Sequence, residues 1–300
     1  MSTKLKVSAR SLIHSEPNFE LTRESEKMRA FFKNFLYLFQ GKAQIPNGFA
    51  GNPALKLLST RRSCRRFKDD PVPDEIMNAI LEAGRYAPSS VNLQTWSFVA
   101  FDRHDWHEIF GTKIPFNGDR AVVICSDVHR IGRVLTEFET KSLLAHTLAV
   151  FNAGLAAMAM TIAAEALGLA SVMLSDTGKT GLLDIPFLRE KMKLPDGVLP
   201  VATLVLGYRK IPSPGIPPRF PKNIVVFRRQ YQPVPEEPLR QWYQQMKIGY
   251  KLTNLTSSFE NKLHYYLKRF DQAETVLREA VLNGSAEPTE VTEKQKEDVR

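Results

Sequence analysis

The stretch that organises this chain is RRSCRRFKDDPVPDEIMNAILEAGRYAPSSVNLQ, from Arg61 to Gln94. It opens with a basic cluster, and a turn at Pro71 to Pro73 leads into a helical pattern. The apolar face of that helix would consist of Ile76, Ile80, Leu81 and Ala83. We expect the helix to end by Ala87, because a residue that precedes proline avoids the helical region. The pattern therefore places guanidinium groups and a polar loop at the two ends of one helix.

The side chains at these two ends suit different parts of one ligand. The basic cluster contains Arg61, Arg62, Arg65 and Arg66, with Ser63 between them. Arginine presents rigid, bidentate donors that match a phosphate group. The loop contributes neutral donors and acceptors that suit hydroxyls or the edge of a heterocycle, at Ser89, Ser90, Asn92 and Gln94. The residues alone leave two interpretations open: a phosphate site beside a polar loop, and a solvated basic face before a helix.

The same stretch resembles the opening signature of the nitroreductase family, flavoenzymes that hold FMN and use NADH or NADPH. The resemblance rests on the segments RRSCR, PVPDE, ILEAG and APSSVNLQTW. One departure is Thr95, which stands where proline is usual. The strand pattern that ends at Gly207-Tyr208 also matches, so the resemblance spans about Leu57 to Phe227, a little over half of the chain.

The resemblance implies an α+β fold, with a central mixed or antiparallel sheet flanked by helices and a long central helix at a dimer interface. Apolar runs of strand length occur at Ser97 to Phe101, Ala121 to Ser126, Gly168 to Leu174 and Leu199 to Leu206. Ser142 to Leu169 is long enough to cross a membrane. Its polar residues and many alanines instead favour a helix buried within the fold or across a dimer interface. In the family two subunits meet at such a helix, so a homodimer is implied.

The resemblance also implies FMN as cofactor and NADH or NADPH as co-substrate. The residues expected at the phosphate and ribityl end are Arg61, Arg65 and Arg219, with Lys222 as a second basic candidate. Those expected along the chain and ring are Arg62, Ser63, Ser89, Ser90 and Asn92, with backbone N–H groups near Thr177 and Gly178 facing the flavin N5 edge. No acid–base residue and no metal ligand is assigned, because the flavin carries the chemistry.

The function implied is an FMN-dependent oxidoreductase that takes hydride from NAD(P)H and reduces a nitro-aromatic, a quinone or a similar small acceptor. One alternative is a relative with different flavin chemistry, such as reductive dehalogenation or flavin fragmentation. The other alternative is a non-catalytic flavin-binding protein, in which the family core is a scaffold and the N- and C-terminal segments outside it carry the function.

The composition indicates which kinds of partner the chain could bind and in which cellular compartment we expect it. The net charge of +9 suits an anionic cofactor, nucleic acid or a membrane surface. No nucleic-acid-binding motif is visible, which favours a small anionic cofactor. Cys64 and Cys125 are too few for a disulfide framework and fit a reducing cytoplasm. Met1 to Ser11 lacks the apolar core of a signal peptide, so we expect a cytoplasmic protein.

We divide the chain into an N-terminal extension (1–53), a flavin domain (54–230), a C-terminal helical extension (231–282) and a tail expected to be disordered (283–300). Ser25 to Gln40 reads as an amphipathic helix, which packs on protein or lies on a membrane surface. Asp102 to Arg120 is expected to be irregular, with HDWH at 104–107 as a surface turn rather than a metal pair. Ile224 to Phe227 is expected to be a short strand, which in relatives crosses to the other subunit.

Overall fold

The computed structural model describes residues 45–175, 179–212, 216–253 and 256–283, together with Ser25, Met28 and Arg29. The chain divides into two compact units. The larger unit consists of residues 43–216 and 260–300, and the smaller of residues 1–42 and 217–259. The four-part division drawn from the sequence stays a prediction. Apart from those three residues, the helix predicted at 25–40 lies outside the described residues.

The helices and strands follow in chain order. Within the described residues the helices are α1 (Pro53–Thr60), α2 (Asp74–Arg85), α3 (Arg103–Phe110), α4 (His129–Gly132), α5 (Leu143–Ala166), α6 (Ile185–Met192), α7 (Glu236–Thr253) and α8 (Phe259–Leu282). The strands are β1 (Trp96–Phe101), β2 (Arg120–Asp127), β3 (Ala170–Leu174) and β4 (Val198–Gly207). The α+β class expected from the sequence is therefore confirmed.

The four strands form one antiparallel sheet in the order β1-β2-β4-β3. The inner strands β2 and β4 are buried along almost their whole length, which explains why they read as continuous apolar runs. Alternate residues of β2 face opposite sides of the sheet, because successive side chains of a strand point in opposite directions. Val122 and Ile124 pack with α2 and α5, whereas Val123 and Cys125 pack on the side of α3. The sheet is thus the middle layer of three.

The long central helix α5 brings its small residues against the sheet. Ala149, Ala153 and Ala156 are fully buried, and small side chains allow a helix to approach a sheet closely. A Cβ added at Gly84 would lie 2.3 Å from Cε of Met160, so glycine at that position lets α2 lie directly against α5. This helix is apolar enough to cross a membrane. Its buried face nevertheless belongs to the core of the larger unit.

The segment 102–120 corrects one expectation. It contains the helix α3, which Asp102 caps by accepting a hydrogen bond from the Asp105 N–H (2.8 Å) and which ends at Gly111 with φ 67°. Trp106 is 2% exposed, and its ring centroid lies 4.4 Å from that of Phe110. The predicted surface turn was wrong, because burial of this aromatic pair stabilises a helix that the local pattern does not indicate.

The strand expected at Ile224 to Phe227 is also absent from the described residues of the smaller unit. Lys222–Ile224 forms a single 3₁₀ turn instead, and Val225 and Val226 are exposed. A lone extended segment leaves its backbone groups without ladder partners, which disfavours a strand in a single chain.

The two C-terminal helices belong to different units. In the larger unit, Ala280 and Val281 of α8 pack against Ile185 and Leu199, and Arg269 binds Asp184 at 2.9 Å. The last turns of α8 therefore pack on the core of the larger unit. In the smaller unit, the ring of Trp242 on α7 lies 4.7 Å from that of Phe220.

Candidate functional site

The arginine segment, residues 61–68, runs along the free edge of β3. Arg61 closes α1 through its N–H, which bonds to the Leu57 carbonyl at 2.9 Å. Ser63 then forms a parallel bridge with Ser171, and the Cys64 N–H donates to the Ser171 carbonyl at 2.8 Å. Cys64 and Phe67 are buried, whereas Arg65 and Arg66 are exposed. The sheet edge therefore fixes the backbone and leaves these two guanidinium groups accessible to an anion.

Arg61 differs from Arg65 and Arg66 because its side chain is partly buried. Its Nε atom is buried and has no hydrogen-bond partner among the described residues. Glu165, in the last turns of α5, lies 3.6 Å from Arg209 Nη2. Burial raises the pKa of the Glu165 carboxyl, and the positive charges of Arg209 and Arg61 oppose that shift. This single carboxylate faces two arginines, Arg61 and Arg209, so positive charge remains in excess beside the arginine segment.

Arg209 and Glu165 were missed by the sequence reasoning. Arg209 directly follows the Gly207-Tyr208 end of β4, which was the available signal. Arg62 was expected to contact the ring or chain of the cofactor, partly through its backbone, and this stays a prediction. Its Nη1 donates to the carbonyls of Ser59 (2.9 Å) and Arg61 (2.5 Å), so this atom caps the C-terminus of α1.

The polar loop, residues 88–95, has an unusual backbone held by one buried amide. Val91, Asn92 and Gln94 have positive φ angles of 50°, 56° and 49°, which disfavour L-residues. Oδ1 of Asn152 accepts hydrogen bonds from the Ser90 N–H (3.2 Å) and Oγ (3.4 Å). Its Nδ2 donates to Oγ1 of Thr95 at 2.9 Å, which gives a role to the threonine that replaces proline. The loop shape thus depends on a side chain of α5.

The serine hydroxyls of this loop are partly committed. Oγ of Ser89 accepts from the Gln94 N–H at 3.0 Å, which leaves its own hydrogen to donate. Oγ of Ser90 donates to Asn152, which leaves a lone pair to accept. The side chain of Asn92 is exposed. The loop therefore offers both donors and acceptors to a bound molecule.

The two groups of predicted residues are anchored at different places on α5. The polar loop is held at Asn152 and the arginine segment lies by Glu165, thirteen residues later. At 1.5 Å per residue this is a separation of about 20 Å along the helix. Arg219 and Lys222 are exposed residues of the smaller unit. Thr177 and Gly178 lie outside the described residues.

One acidic cluster lies apart from these groups. Asp102, His104 and Asp105 each bring a potential ligand atom within 4.8 Å of the others at the surface of α3. Asp102 is already engaged as the cap of that helix, and exposed carboxylates often cluster without an ion. We assign no metal to it.

Comparisons with known proteins agree on one family. A family model described as the nitroreductase family matches residues 58–108. The chain is 30% identical over 204 residues to an oxygen-insensitive NADPH nitroreductase of Salmonella typhimurium, an alignment covering 66% of this chain and 83% of that protein. It is 29% identical over 192 residues to an FMN reductase [NAD(P)H] of Bacillus subtilis, covering 60% and 75% respectively.

The solved structure of the hypothetical oxidoreductase YcnD from Bacillus subtilis is similar to this chain with a TM-score of 0.63 at 26% identity. The likeness covers 78% of this chain and 98% of that one. Since Leu57 to Phe227 make up only a little over half of the chain, the shared fold extends beyond the span predicted from motifs.

Proposed function

The chain belongs to the nitroreductase family, and from this premise we propose that it is an FMN-dependent oxidoreductase that uses NADH or NADPH to reduce a small nitro-aromatic, quinone or similar acceptor. When bound, FMN supplies the chemistry, since its ring accepts hydride from nicotinamide and passes electrons to a second substrate in the same pocket. The chain's own residues bind and orient the cofactor and its substrates. The observation that carries this proposal is the arginine segment held along the β3 edge beside α5.

The arginine segment fits the FMN phosphate. The buried Nε of Arg61 has no hydrogen-bond partner among the described residues, and a phosphate oxygen would satisfy it. Arg65 is exposed on the same segment and adds a second guanidinium. Arg219 is assigned to the phosphate by family likeness. Ser63, which the bridge to Ser171 holds on the sheet edge, is assigned to the chain or ring of FMN on the same ground. Nη1 of Arg62 holds the backbone of Arg61 in place, and the contact of Arg62 with the cofactor is assigned by family likeness.

The polar loop fits the ribityl chain and one edge of the ring. The Ser89 hydrogen, the Ser90 lone pair and the Asn92 amide are the groups it offers. Its backbone is held before any ligand arrives, and a pre-formed site costs less entropy to occupy. We assign the flavin N5 edge to backbone N–H groups near Thr177 and Gly178 by family likeness alone.

The test is an anaerobic absorption spectrum of the purified protein, before and after NADPH or NADH is added. We expect the oxidised flavin bands, and we expect them to bleach with at least one nucleotide. Bleaching by dithionite is the control that the flavin is reducible. A colourless protein that FMN does not reconstitute would contradict the proposal. A yellow protein that dithionite bleaches but neither nucleotide reduces would favour the two alternatives, a relative with different flavin chemistry or a non-catalytic flavin-binding protein. Assays with halogenated phenols and for oxygen-dependent flavin loss test the first of these.

We also propose a homodimer formed through an apolar stripe on α5. The stripe consists of Leu144, Leu148, Phe151, Leu155, Met158 and Ile162, spaced alternately by four and three residues. Leu144 and Phe151 are 68% and 60% exposed. This spacing is typical of a helix seam that packs against a second helix. Exposed apolar patches of this kind mark interfaces, and a second copy of the chain supplies an identical stripe. We place this dimer in the cytoplasm, in keeping with two free, buried cysteines.

Phe151→Glu is expected to convert the dimer into a monomer of 34.0 kDa. A two-fold interface carries the substitution twice and would bury two carboxylates, so the dissociation constant should rise by roughly a thousandfold or more. Sedimentation velocity measures this. Leu267→Glu is the matched control, since Leu267 is 50% exposed on α8 and lies off the stripe. An unchanged dimer in Phe151→Glu would refute the assigned interface.

A further inference from the structure

A cavity of about 200 Å³ lies at the N-terminal end of α5, the end opposite to Glu165. It lies between α4, the loop before α5, the turn before β4 and the last turns of α8, all within the larger unit. Its polar lining consists of His129, Arg133, Thr140, Lys141, His146 and Asp196. Ala280 and Val281 of α8 close it on the apolar side. The residues assigned to FMN are not among those that line it.

The charge of this lining favours an anion. Arg133 and Lys141 are exposed cations for which the described residues provide no carboxylate within ion-pair distance. The one acid in the lining, Asp196, is already bound by the guanidinium of Arg189. The N-terminus of α5 adds a partial positive charge, because helix dipoles are positive at that end. A cation would meet repulsion here.

His146 supplies the second observation. This residue is only 4% exposed, and its Nε2 lies 3.0 Å from the Thr140 carbonyl oxygen. Because a carbonyl only accepts, Nε2 carries a hydrogen. Nδ1 is buried and has no hydrogen-bond partner in the described part of the chain. Protonation would turn that atom into a buried N–H that needs an acceptor, and His146 is one of the residues that line the cavity.

We propose that this cavity binds a small oxyanion of the phosphate or sulfate class, held by Arg133, Lys141 and the protonated ring of His146. An oxygen of the anion accepts from Nδ1–H while Nε2–H remains bonded to Thr140. The two exposed cations supply the remaining charge-assisted hydrogen bonds. A free ion and the phosphate of a small ester share this chemistry, and the small residues Ala280 and Val281 leave room for the body of an ester.

Binding at this site takes up a proton. Burial lowers the pKa of His146, an effect that the hydrogen bond to Thr140 opposes, so the ring of the empty site is neutral at pH 7. The other titratable and charged groups around it are His129, Arg133, Glu139, Lys141 and Asp196, while α8 contributes only apolar side chains. An anion stabilises the protonated ring. Affinity should therefore rise as pH falls, by up to roughly tenfold per pH unit while the ligand-free ring is neutral and the liganded ring is charged.

Calorimetric titration with sulfate tests the site in full-length protein saturated with FMN. Sulfate is used because it stays a dianion as the pH is varied around neutrality. Arg133→Gln combined with Lys141→Gln should weaken sulfate binding at least roughly tenfold. Lys113→Gln combined with Lys268→Gln removes the same charge at exposed positions elsewhere and should change it less than about twofold. Inorganic phosphate and glycerol 3-phosphate form the second arm, in which tighter binding of the ester identifies an ester as the natural source and equal binding identifies the free ion.

The role of His146 has its own measurement, which needs no variant. An NMR titration of the wild-type ring should show a pKa raised by saturating sulfate, and His146→Gln should remove the pH dependence of binding. An unchanged ring pKa overturns the proposal, as does failure of millimolar sulfate to bind. It is equally overturned if the Arg133 and Lys141 variant binds like its control. None of these readouts involves flavin reduction, so the result is separable from that of the proposed function.

Discussion

We expect Arg61→Ala combined with Arg219→Ala to weaken FMN binding by roughly a hundredfold to ten-thousandfold. Each guanidinium is assigned to the FMN phosphate, and a charge-assisted hydrogen bond contributes about 1.5–3 kcal/mol. Two such losses amount to about 3–6 kcal/mol, which corresponds to that range of dissociation constants. Fluorescence titration of the apoprotein with FMN measures the change directly. Activity per bound flavin should stay close to wild type when FMN is saturating, because these residues bind the phosphate and do not touch the reacting ring.

The matched control is Arg66→Ala. Arg66 belongs to the same basic cluster and is exposed, and its backbone carbonyl accepts from the Lys210 N–H at 3.0 Å. This contact does not depend on the side chain. A loss of FMN affinity in Arg66→Ala as large as in the double variant would mean that general charge, and not direct contact, holds the phosphate. A double variant that keeps FMN through dialysis would refute the phosphate assignment altogether.

The second large effect is expected at Asn152→Leu, which should lower the free energy of unfolding by about 2–4 kcal/mol. Asn152 is 1% exposed and bonds to the Ser90 N–H, the Ser90 hydroxyl and the Thr95 hydroxyl. Leucine keeps the volume but leaves these partners unsatisfied in a buried place. The polar loop, whose positive φ angles are already costly, would lose its anchor.

Urea denaturation at a fixed protein concentration measures this stability, and hydrogen exchange at Ser90 and Gln94 reports the loop itself. Thr161→Val is the control on the same helix, because Thr161 is 6% exposed and its hydroxyl donates to the Ala157 carbonyl one turn earlier, at 2.8 Å. We expect Thr161→Val to change stability by less than about 1 kcal/mol. If Asn152→Leu behaves like Thr161→Val, the amide does not hold the loop.

Local sequence patterns predicted correctly those elements whose position depends on a single kind of interaction. The apolar runs that became β2 and β4 are buried on both faces of the sheet, so hydrophobicity alone identified them. The break before Pro88 ends α2 within one turn of the expected position, because the restriction imposed by proline is local. The arginine motif likewise predicted the family, which the comparisons confirmed. The assignment of individual cofactor contacts remains a prediction.

Long-range contacts decided what local patterns did not reveal. The helix α3 forms because Trp106 and Phe110 pack into a core whose other members lie far along the chain. Arg62 and Arg65 are identical side chains three residues apart. Arg62 nevertheless caps a helix while Arg65 faces solvent, since the bridge from Ser63 to Ser171 sets the direction of the strand between them.

The sequence by itself determined the fold class, the family and the positions of the arginine segment and the polar loop, because turn chemistry, hydrophobic period and motif order act over a few residues. Only the tertiary structure decided how those parts are held. Asn152 reaches the polar loop across 62 positions of sequence, and Glu165 lies 3.6 Å from Arg209 across 44 positions. The tertiary structure also brings His146, Arg133 and Lys141 to one cavity. A hydrogen bond or an ion pair between distant residues leaves no local signature, because it depends on distances that only the folded chain creates.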